Sequence, residues 1–165
     1  MQMLPTAALS CAESFEKCAG AVRAPAALMI ATGEGLEALT EKIIGCAIEV
    51  HRILGPGLLE SVYRECMMIE MRGECLRFVC EQQIALDHKG QRVRGALKLD
   101  LLVERCVVVE LKAVERIHPV HSAQVITYLK LTGCPAGLLM NFNSTTLKAG
   151  LKRLDHPNLY VKKKA

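Results

Sequence analysis

Aromatic side chains are scarce in this sequence, which contains no tryptophan, three tyrosines and three phenylalanines. Because sequence-tolerant binding of single-stranded nucleic acid relies on aromatic stacking, this scarcity argues against stacking as a main mode of binding. Long apolar runs are also missing, since residues 24–32 are far shorter than the roughly 18 apolar residues of a membrane span and contain Pro25. The sequence therefore excludes a membrane-spanning protein.

Paired cysteine spacings are absent as well. The eight cysteines are scattered, and several fall within apolar helix or strand patterns, where a free thiol behaves as a small hydrophobic side chain. This distribution predicts a reducing compartment, with no disulfide framework, no zinc site and no iron–sulfur cluster. The sequence also lacks a P-loop, a dinucleotide-binding glycine pattern, a GxSxG element and an HExxH element. Neither ATP dependence nor serine-hydrolase chemistry is supported.

The sequence does contain enough apolar material for one folded domain. Its 165 residues are 51% hydrophobic and 23% charged, which is typical of a single domain with a substantial core. The net charge of +4 is concentrated near the C-terminus, where residues 148–165 carry six basic side chains and one acidic one. Such a cluster either attracts phosphate non-specifically or is an ordinary solvated end of the chain.

The chain divides into three parts. Residues 1–35 are rich in alanine, are interrupted by proline and glycine, and show no sustained helical period, which predicts a flexible N-terminal extension. The first charged residue is Glu13, unlike the basic start of a secretory signal, so we expect a cytoplasmic protein. Residues 36–155 form the expected folded domain, and residues 156–165 form a basic tail.

The periodicity of the domain predicts an α/β fold of the α+β kind. Apolar residues recur every three or four positions in segments that predict helices, and they alternate with polar residues or form short apolar runs in segments that predict strands. The predicted helices are 36–54, 58–73 and 119–131, and the predicted strands are 78–86, 97–103, 107–111 and 136–142. The order ααβββαβ, followed by a short helical or irregular segment, predicts a mixed sheet flanked by helices.

Three charged residues stand out at the ends of two predicted strands. Glu110 and Lys112 are two apart in a strand and therefore point to the same face, and the predicted hairpin places Asp100 opposite them. Two carboxylates could hold a hard cation such as Mg²⁺, with the lysine beside a phosphate. A surface salt bridge at the end of a strand is the simpler interpretation of these residues alone.

The following helix favours the first interpretation. Gln124 and Tyr128 are four residues apart and share one helical face. An Asp, an ExK strand and a QxxxY helix in this order resemble the PD-(D/E)XK nuclease superfamily, especially its RecB-like branch, although Leu99 replaces the proline before the Asp. The resemblance implies a restriction-endonuclease-like core and covers roughly residues 36–142.

Residues 57–63, which read GLLESVY, resemble more closely the signature of the GxxExxY proteins. The resemblance implies Asp100 and Glu110 as ligands of Mg²⁺ or Mn²⁺, with the Leu111 carbonyl as a third, and Lys112 as the catalytic lysine. It implies that Gln124 and Tyr128 orient the nucleic-acid backbone or water. Two alternatives stay open for Glu60: it completes the metal site, or it is an acid favourably placed at a helix N-terminus.

Two classes of function follow. The first is a metal-dependent nuclease that hydrolyses phosphodiester bonds of DNA or RNA, with DNA favoured. The second is a non-catalytic nucleic-acid-binding or protein-interaction module that retains the fold. A homodimer is also considered, because small nucleases often pair to address two strands. His51 and His121 lie near the motifs, but a hydrogen-bonded structural role is favoured for both, and Tyr63 is at least as well explained as a packed aromatic.

Overall fold

The computed structural model describes residues 33–158, except for the side chains of residues 94–96. This part of the chain forms one five-stranded sheet with helices on both faces. In chain order the elements are α1 (Gly33–Leu54), α2 (Glu60–Gly73), β1 (Phe78–His88), β2 (Gln91–Val103), β3 (Val107–Lys112), α3 (Pro119–Thr132), β4 (Ala136–Asn141), α4 (Leu147–Gly150) and β5 (Leu151–Asp155). The predicted order ααβββαβ and the mixed sheet are confirmed.

The sheet places its strands in the order β1-β2-β3-β4-β5. The first three strands form an antiparallel meander, and α3 then carries the chain over one face so that β4 pairs parallel to β3. This crossover places the ends of β3 and β4 at the same edge, where Lys112 is the register partner of Asn141. Polar residues that end these two apolar strands therefore lie side by side.

The two faces of the sheet bury different helices. On one face, alternate residues such as Val109 and Leu111 pack in one apolar cluster with α1 and α2. On the opposite face, Val108 and Leu139 pack in a second cluster with α3. This separation follows from the period of two in a strand and makes β3 and β4 buried on both sides, which explains their uninterrupted apolar sequences.

Helix α1 shows the amphipathic spacing that the sequence predicts. Its buried positions recur at helical intervals and include Leu36, Leu39, Ile43, Ala47 and Val50. The helix ends where the backbone N–H of Gly55 donates to the carbonyl of His51 at 2.8 Å, with Gly55 at a φ of 65°. Glycine adopts this left-handed conformation without the strain that a side chain would introduce, so the Gly-Pro-Gly segment ends the helix as predicted.

Two segments are more regular than the sequence predicts. Strand β2 begins at Gln91 instead of residue 97, because its first residues pair with the end of β1 across the Lys89–Gly90 turn. The segment after β4, predicted to be helical or irregular, holds α4 and then β5, which pairs antiparallel with β4. The stabilising contacts of β5 are distant in sequence, because the Arg153 guanidinium pairs with Glu37 on α1.

The predicted N-terminal extension and basic tail fall largely outside the described residues. Residues 1–32 and 159–165 belong to this category, whereas residues 33–35 form the first turn of α1. No helix within residues 33–158 is both long and apolar enough to cross a membrane.

Close packing of α3 on β4 requires glycine at position 137. A Cβ atom on Gly137 would lie 2.5 Å from Cγ1 of Val125 on α3, and valine cannot easily rotate away because its χ1 angle is restricted. We expect Gly137→Ala to lower the free energy of unfolding by about 1–3 kcal/mol, measured by urea denaturation. Adding Val125→Ala to this variant should recover part of the lost stability. A Gly137→Ala variant with the same urea midpoint as the wild type would contradict this packing.

Candidate active site

Asp100 lies where β2 and β3 separate. The two strands are paired as far as Leu101 and Val109, so Asp100 and Glu110 are the next residues beyond the paired region. Here the Leu111 backbone N–H donates to Oδ2 of Asp100 at 2.9 Å, so a carboxylate replaces the backbone carbonyl that would continue the ladder. Asp100 is 9% exposed. Its position beside Glu110 agrees with the sequence prediction that the hairpin brings these carboxylates together.

Glu110 is a buried acid with one oxygen unsatisfied. It is 2% exposed, and the Lys112 ammonium donates to its Oε1 at 2.6 Å. Its Oε2 is also buried and has no hydrogen-bond partner within the described part of the chain. Burial, followed by the nearby Asp100 charge, raises the pKa of Glu110 to about 7, against the opposing effect of Lys112. A carboxylate in this state is a ready acceptor for positive charge.

Lys112 remains charged in this environment. Burial disfavours its ammonium form, but the hydrogen bond and charge of Glu110, together with Glu60 and Asp100, outweigh this effect and raise its pKa. Its side chain is 13% exposed, so the ammonium is held at the boundary between the protein interior and solvent. A fixed positive charge at such a boundary is suited to contact an anion.

Glu60 approaches the same group from α2. Burial raises its pKa, while Lys112 lowers it and Asp100 raises it, and the Ala113 backbone also hydrogen-bonds to its carboxylate. Glu60 is the first residue of α2, where an acid is favourable, but its carboxylate is directed to the segment after β3. The structure therefore brings Glu60 close to Lys112 and Asp100.

The glycine and tyrosine on either side of Glu60 shape the loop before α2. Gly57 has a φ of 104°, which disfavours any residue with a Cβ atom. The Tyr63 hydroxyl donates to the Gly55 carbonyl at 2.6 Å and accepts the Leu58 backbone N–H at 3.1 Å. Its ring is fully buried, as the packing interpretation predicts. Gly57 and Tyr63 thus have a common consequence, which is a fixed entry to α2.

Removing the Tyr63 hydroxyl should loosen this loop. In Tyr63→Phe the ring would keep its stacking on Phe142, whose centroid is 4.5 Å away, but two backbone groups would lose their partner. We expect a loss of about 1–2 kcal/mol in the free energy of unfolding, measured by thermal or urea denaturation with a native circular dichroism spectrum as control. Wild-type stability of the variant would show that the hydroxyl does not hold the loop.

Gln124 and Tyr128 lie on α3 and face the site together, as their spacing predicts. The Gln124 amide donates to the Tyr128 hydroxyl at 2.8 Å, and that hydroxyl donates to the Lys98 carbonyl at 3.0 Å. Burial raises the pKa of Tyr128, and the charges of Glu110, Lys112 and Asp100 also act on it. This pair therefore braces β2 two residues before Asp100, a contact that the spacing alone does not reveal.

Comparison with known proteins agrees with this arrangement. The family profile described as the PD-(D/E)XK nuclease superfamily matches residues 37–154, which include α1 through β5 apart from the ends of those two elements. The chain belongs to the PD-(D/E)XK nuclease superfamily. No curated protein and no solved structure gives a significant match. The restriction-endonuclease-like fold predicted from the sequence is thereby shown.

Two residues beside the candidate site are not predicted by the sequence analysis. The first is Arg64, whose guanidinium contacts Asp100. Its spacing of four residues after Glu60, which places both on one face of α2, is the sequence feature that could have indicated it. Asn141 ends an apolar strand, as Lys112 does. Its side-chain oxygen accepts the Val114 backbone N–H at 3.0 Å and its amide donates to the Val114 carbonyl at 2.8 Å. Asn141 therefore fixes the segment after Lys112.

The two histidines near the motifs make backbone contacts. His51 Nε2 lies 2.9 Å from the Ser144 carbonyl oxygen, and Nδ1 of His121 accepts the backbone N–H of His118 at the start of α3. These contacts agree with the structural role that the sequence analysis favours.

The donor set is compatible with a divalent cation but is not assembled as it stands. Within residues 33–158, no three side chains of His, Cys, Asp or Glu are arranged to hold a metal ion. The available groups are nevertheless hard oxygen donors, the type that Mg²⁺ and Mn²⁺ prefer. The unpartnered, buried Oε2 of Glu110 is the atom whose environment such an ion would complete. The residues therefore fit a hard cation after local rearrangement of the ion pairs.

Proposed function

We propose that this chain is a metal-dependent nuclease that hydrolyses phosphodiester bonds, with its site at Asp100, Glu110 and Lys112. The observation that carries the proposal is the buried Glu110 oxygen without a hydrogen-bond partner, next to a second carboxylate and a charged lysine. A purely structural ion pair normally satisfies its buried oxygens, because each one left without a partner is destabilising. Because the chain belongs to a superfamily of nucleases, this unsatisfied oxygen supports a catalytic role for Glu110.

In this proposal Asp100 and Glu110 hold Mg²⁺ or Mn²⁺, with the Leu111 carbonyl as a further ligand and Glu60 close to the same site. When bound, such an ion supplies positive charge that polarises a phosphoryl oxygen and lowers the pKa of water. The proposal takes support from burial, followed by the nearby Asp100 charge, which together raise the pKa of both Glu60 and Glu110. Neutralising such a cluster is a stabilising effect that a cation provides.

The remaining residues orient the substrate. Lys112 is proposed as the catalytic lysine, because its ammonium is already fixed and charged at the edge of the protein interior. There it offsets the negative charge that develops on the phosphate oxygens. Gln124 and Tyr128 are proposed to orient the nucleic-acid backbone or water, since both lie on the α3 face that approaches Glu110 and Lys112.

The proposal extends to the finer classification. We propose that the chain is a GxxExxY protein of the RecB-like branch, supported by the structural roles of Gly57, Glu60 and Tyr63 described above. We propose DNA as the favoured substrate over RNA, a homodimer as its assembly and the cytoplasm as its location. Cys46 and Cys134 are buried free thiols, which suits a reducing compartment.

The proposed nuclease unit comprises residues 36–155. We propose that residues 1–35 are an N-terminal extension and that residues 156–165 are a basic tail. The tail carries three consecutive lysines at positions 162–164, and such a cluster attracts phosphate without sequence preference.

A second candidate is a non-catalytic module that binds nucleic acid or protein through the same fold. One observation favours it: Asp100 and Glu110 are each already engaged by a cationic side chain, and no three-residue metal cluster is assembled within the described chain. Ion pairs of this kind would persist in a protein that has lost catalysis. Binding by such a module would depend on lysine and arginine and would weaken steeply with salt.

Cleavage assays distinguish the two candidates. Labelled single- and double-stranded DNA and RNA, linear and circular, are incubated with the full-length protein in Mg²⁺, in Mn²⁺ and in EDTA. The nuclease proposal predicts metal-dependent cutting of at least one substrate and of circular DNA if the enzyme cuts internally. Metal-independent binding that weakens steeply with salt, without cutting of any substrate, would instead support the binding module.

A further inference from the structure

Arg64 places a positive charge against Asp100. Its Nη1 lies 3.3 Å from Oδ1 of Asp100, and its Nη2 lies 3.2 Å from Oε1 of Glu81. The Arg64 and Asp100 side chains are only 18% and 12% exposed, so water screens this pair weakly. The guanidinium is therefore shared between two carboxylates, with one contact to each in place of the bidentate geometry of a strong arginine–carboxylate pair.

The other oxygen of Asp100 accepts a backbone hydrogen bond. The Leu111 backbone N–H donates to Oδ2 at 2.9 Å, in a position that continues the pairing of β2 with β3. This hydrogen bond occupies one lone pair of Oδ2 and holds that oxygen against the backbone of β3. Oδ1 accepts no backbone N–H among the described residues, and Oδ1 is the atom that Arg64 contacts.

We propose that Arg64 competes with the divalent cation for Oδ1 of Asp100 and so weakens metal binding when the protein is empty. This inference rests on the proposed metal-dependent nuclease function. Arg64 is a positioning residue in this scheme: it neutralises Asp100 in the absence of metal and moves off Oδ1 when the metal binds. Because both cations are attracted to the same carboxylate, occupancy by one lowers the apparent affinity for the other.

Glu81 gives the displaced guanidinium a place to remain. It lies on β1 with a φ of 52°, at the residue between the paired positions Cys80 and Gln82, and already contacts Arg64. The Lys98 ammonium also donates to Glu81, at 2.7 Å, from the more exposed side. When Arg64 leaves Asp100, it therefore retains one carboxylate partner, and its side chain does not have to leave the protein surface.

Titration of the metal-stripped, full-length protein with Mn²⁺ tests the competition directly, by calorimetry or by electron paramagnetic resonance of the free ion. Arg64→Met should bind Mn²⁺ about tenfold more tightly than wild type, because the competing charge is removed. Structural damage would have the opposite sign, since a disturbed site binds more weakly. If Arg64→Met does not fold, Arg64→Gln keeps a polar side chain without the charge and should show the same gain.

Lys98→Met is the matched control. It removes one positive charge from the same Glu81 partner, but its ammonium is not paired with Asp100 in the structure. We expect its Mn²⁺ affinity to stay within about twofold of wild type, because Lys98 is exposed. An equal gain in Lys98→Met, or unchanged or weaker binding in Arg64→Met, would overturn the competition.

Asp100→Asn separates this inference from the function on which it rests. If the wild type binds Mn²⁺ and Asp100→Asn does not, the metal site is supported. If the Mn²⁺ affinity of Arg64→Met then equals that of the wild type, the competition alone is overturned. Absence of Mn²⁺ binding in the wild type and in Arg64→Met alike would overturn both the metal site and the competition.

Discussion

Replacing Lys112 by methionine should reduce metal-dependent phosphodiester cleavage by at least about 100-fold, chiefly in kcat. The ammonium is held at 2.6 Å from Glu110 and stays charged, so in the proposed mechanism its charge is already in place to offset that of the phosphate. Methionine retains most of the apolar length of the side chain but removes the charge. The measurement is single-turnover cleavage of the substrate identified in the panel of nucleic acids, at saturating Mg²⁺.

Lys42→Met provides the control for this variant. Lys42 is an exposed residue of α1 that pairs with Glu74, so it loses the same charge at a distance from the proposed chemistry. We expect cleavage by Lys42→Met to remain close to wild type. If Lys112→Met cleaves the substrate as fast as Lys42→Met does, Lys112 has no role in the proposed mechanism.

Glu110→Gln should make the metal-free protein more stable at pH 8 and change its stability little at pH 4.5. The pKa of Glu110 is raised from 4.5 to about 7, so the folded protein holds a proton between these values that the unfolded chain releases. The stability of the wild type therefore falls as pH rises through this window, by up to about 3 kcal/mol from this group, whereas glutamine does not titrate. Lys112 stays charged throughout the window, since its pKa is also raised.

Urea denaturation in EDTA between pH 4.5 and pH 8 measures this difference. Glu49→Gln is the matched control, because Glu49 is exposed and its hydrogen bond to Arg52 lowers its pKa, so no gain in stability is expected at high pH. A constant difference between Glu110→Gln and wild type across the range would contradict the raised pKa. Added Mn²⁺ should stabilise the wild type more than Glu110→Gln if Glu110 is a ligand.

Much of the fold could be predicted because its signals are local. The helical spacing of α1 and the apolar sequences of β3 and β4 each reflect burial on one or two faces, and these elements appear where the sequence predicts them. The start of β2 and the whole of β5 could not be placed in this way. Both are polar strands whose stability comes from pairing with a neighbour, a contact that no local period records.

The candidate site was predictable in its composition and only partly in its geometry. Strand alternation and the predicted hairpin are sufficient to bring Asp100 near Glu110, and helix periodicity is sufficient to join Gln124 to Tyr128. The contact of Arg64 with Asp100 depends on how α2 packs against the sheet, which the sequence spacing does not specify. The same limitation applies to Asn141, whose partner Val114 lies in an irregular segment.

Cleavage by Glu110→Gln in Mg²⁺ tests the central claim most directly, because this substitution keeps the size of the side chain and removes the charge from Glu110, whose buried Oε2 has no hydrogen-bond partner among the described residues. Wild type, Glu110→Gln and Glu49→Gln are compared on the same substrate, with EDTA as the blank. We predict metal-dependent cleavage by wild type and by Glu49→Gln. We predict that Glu110→Gln cleaves at least about 100-fold more slowly while its circular dichroism spectrum remains that of the folded protein. Cleavage by Glu110→Gln at the wild-type rate would contradict the account.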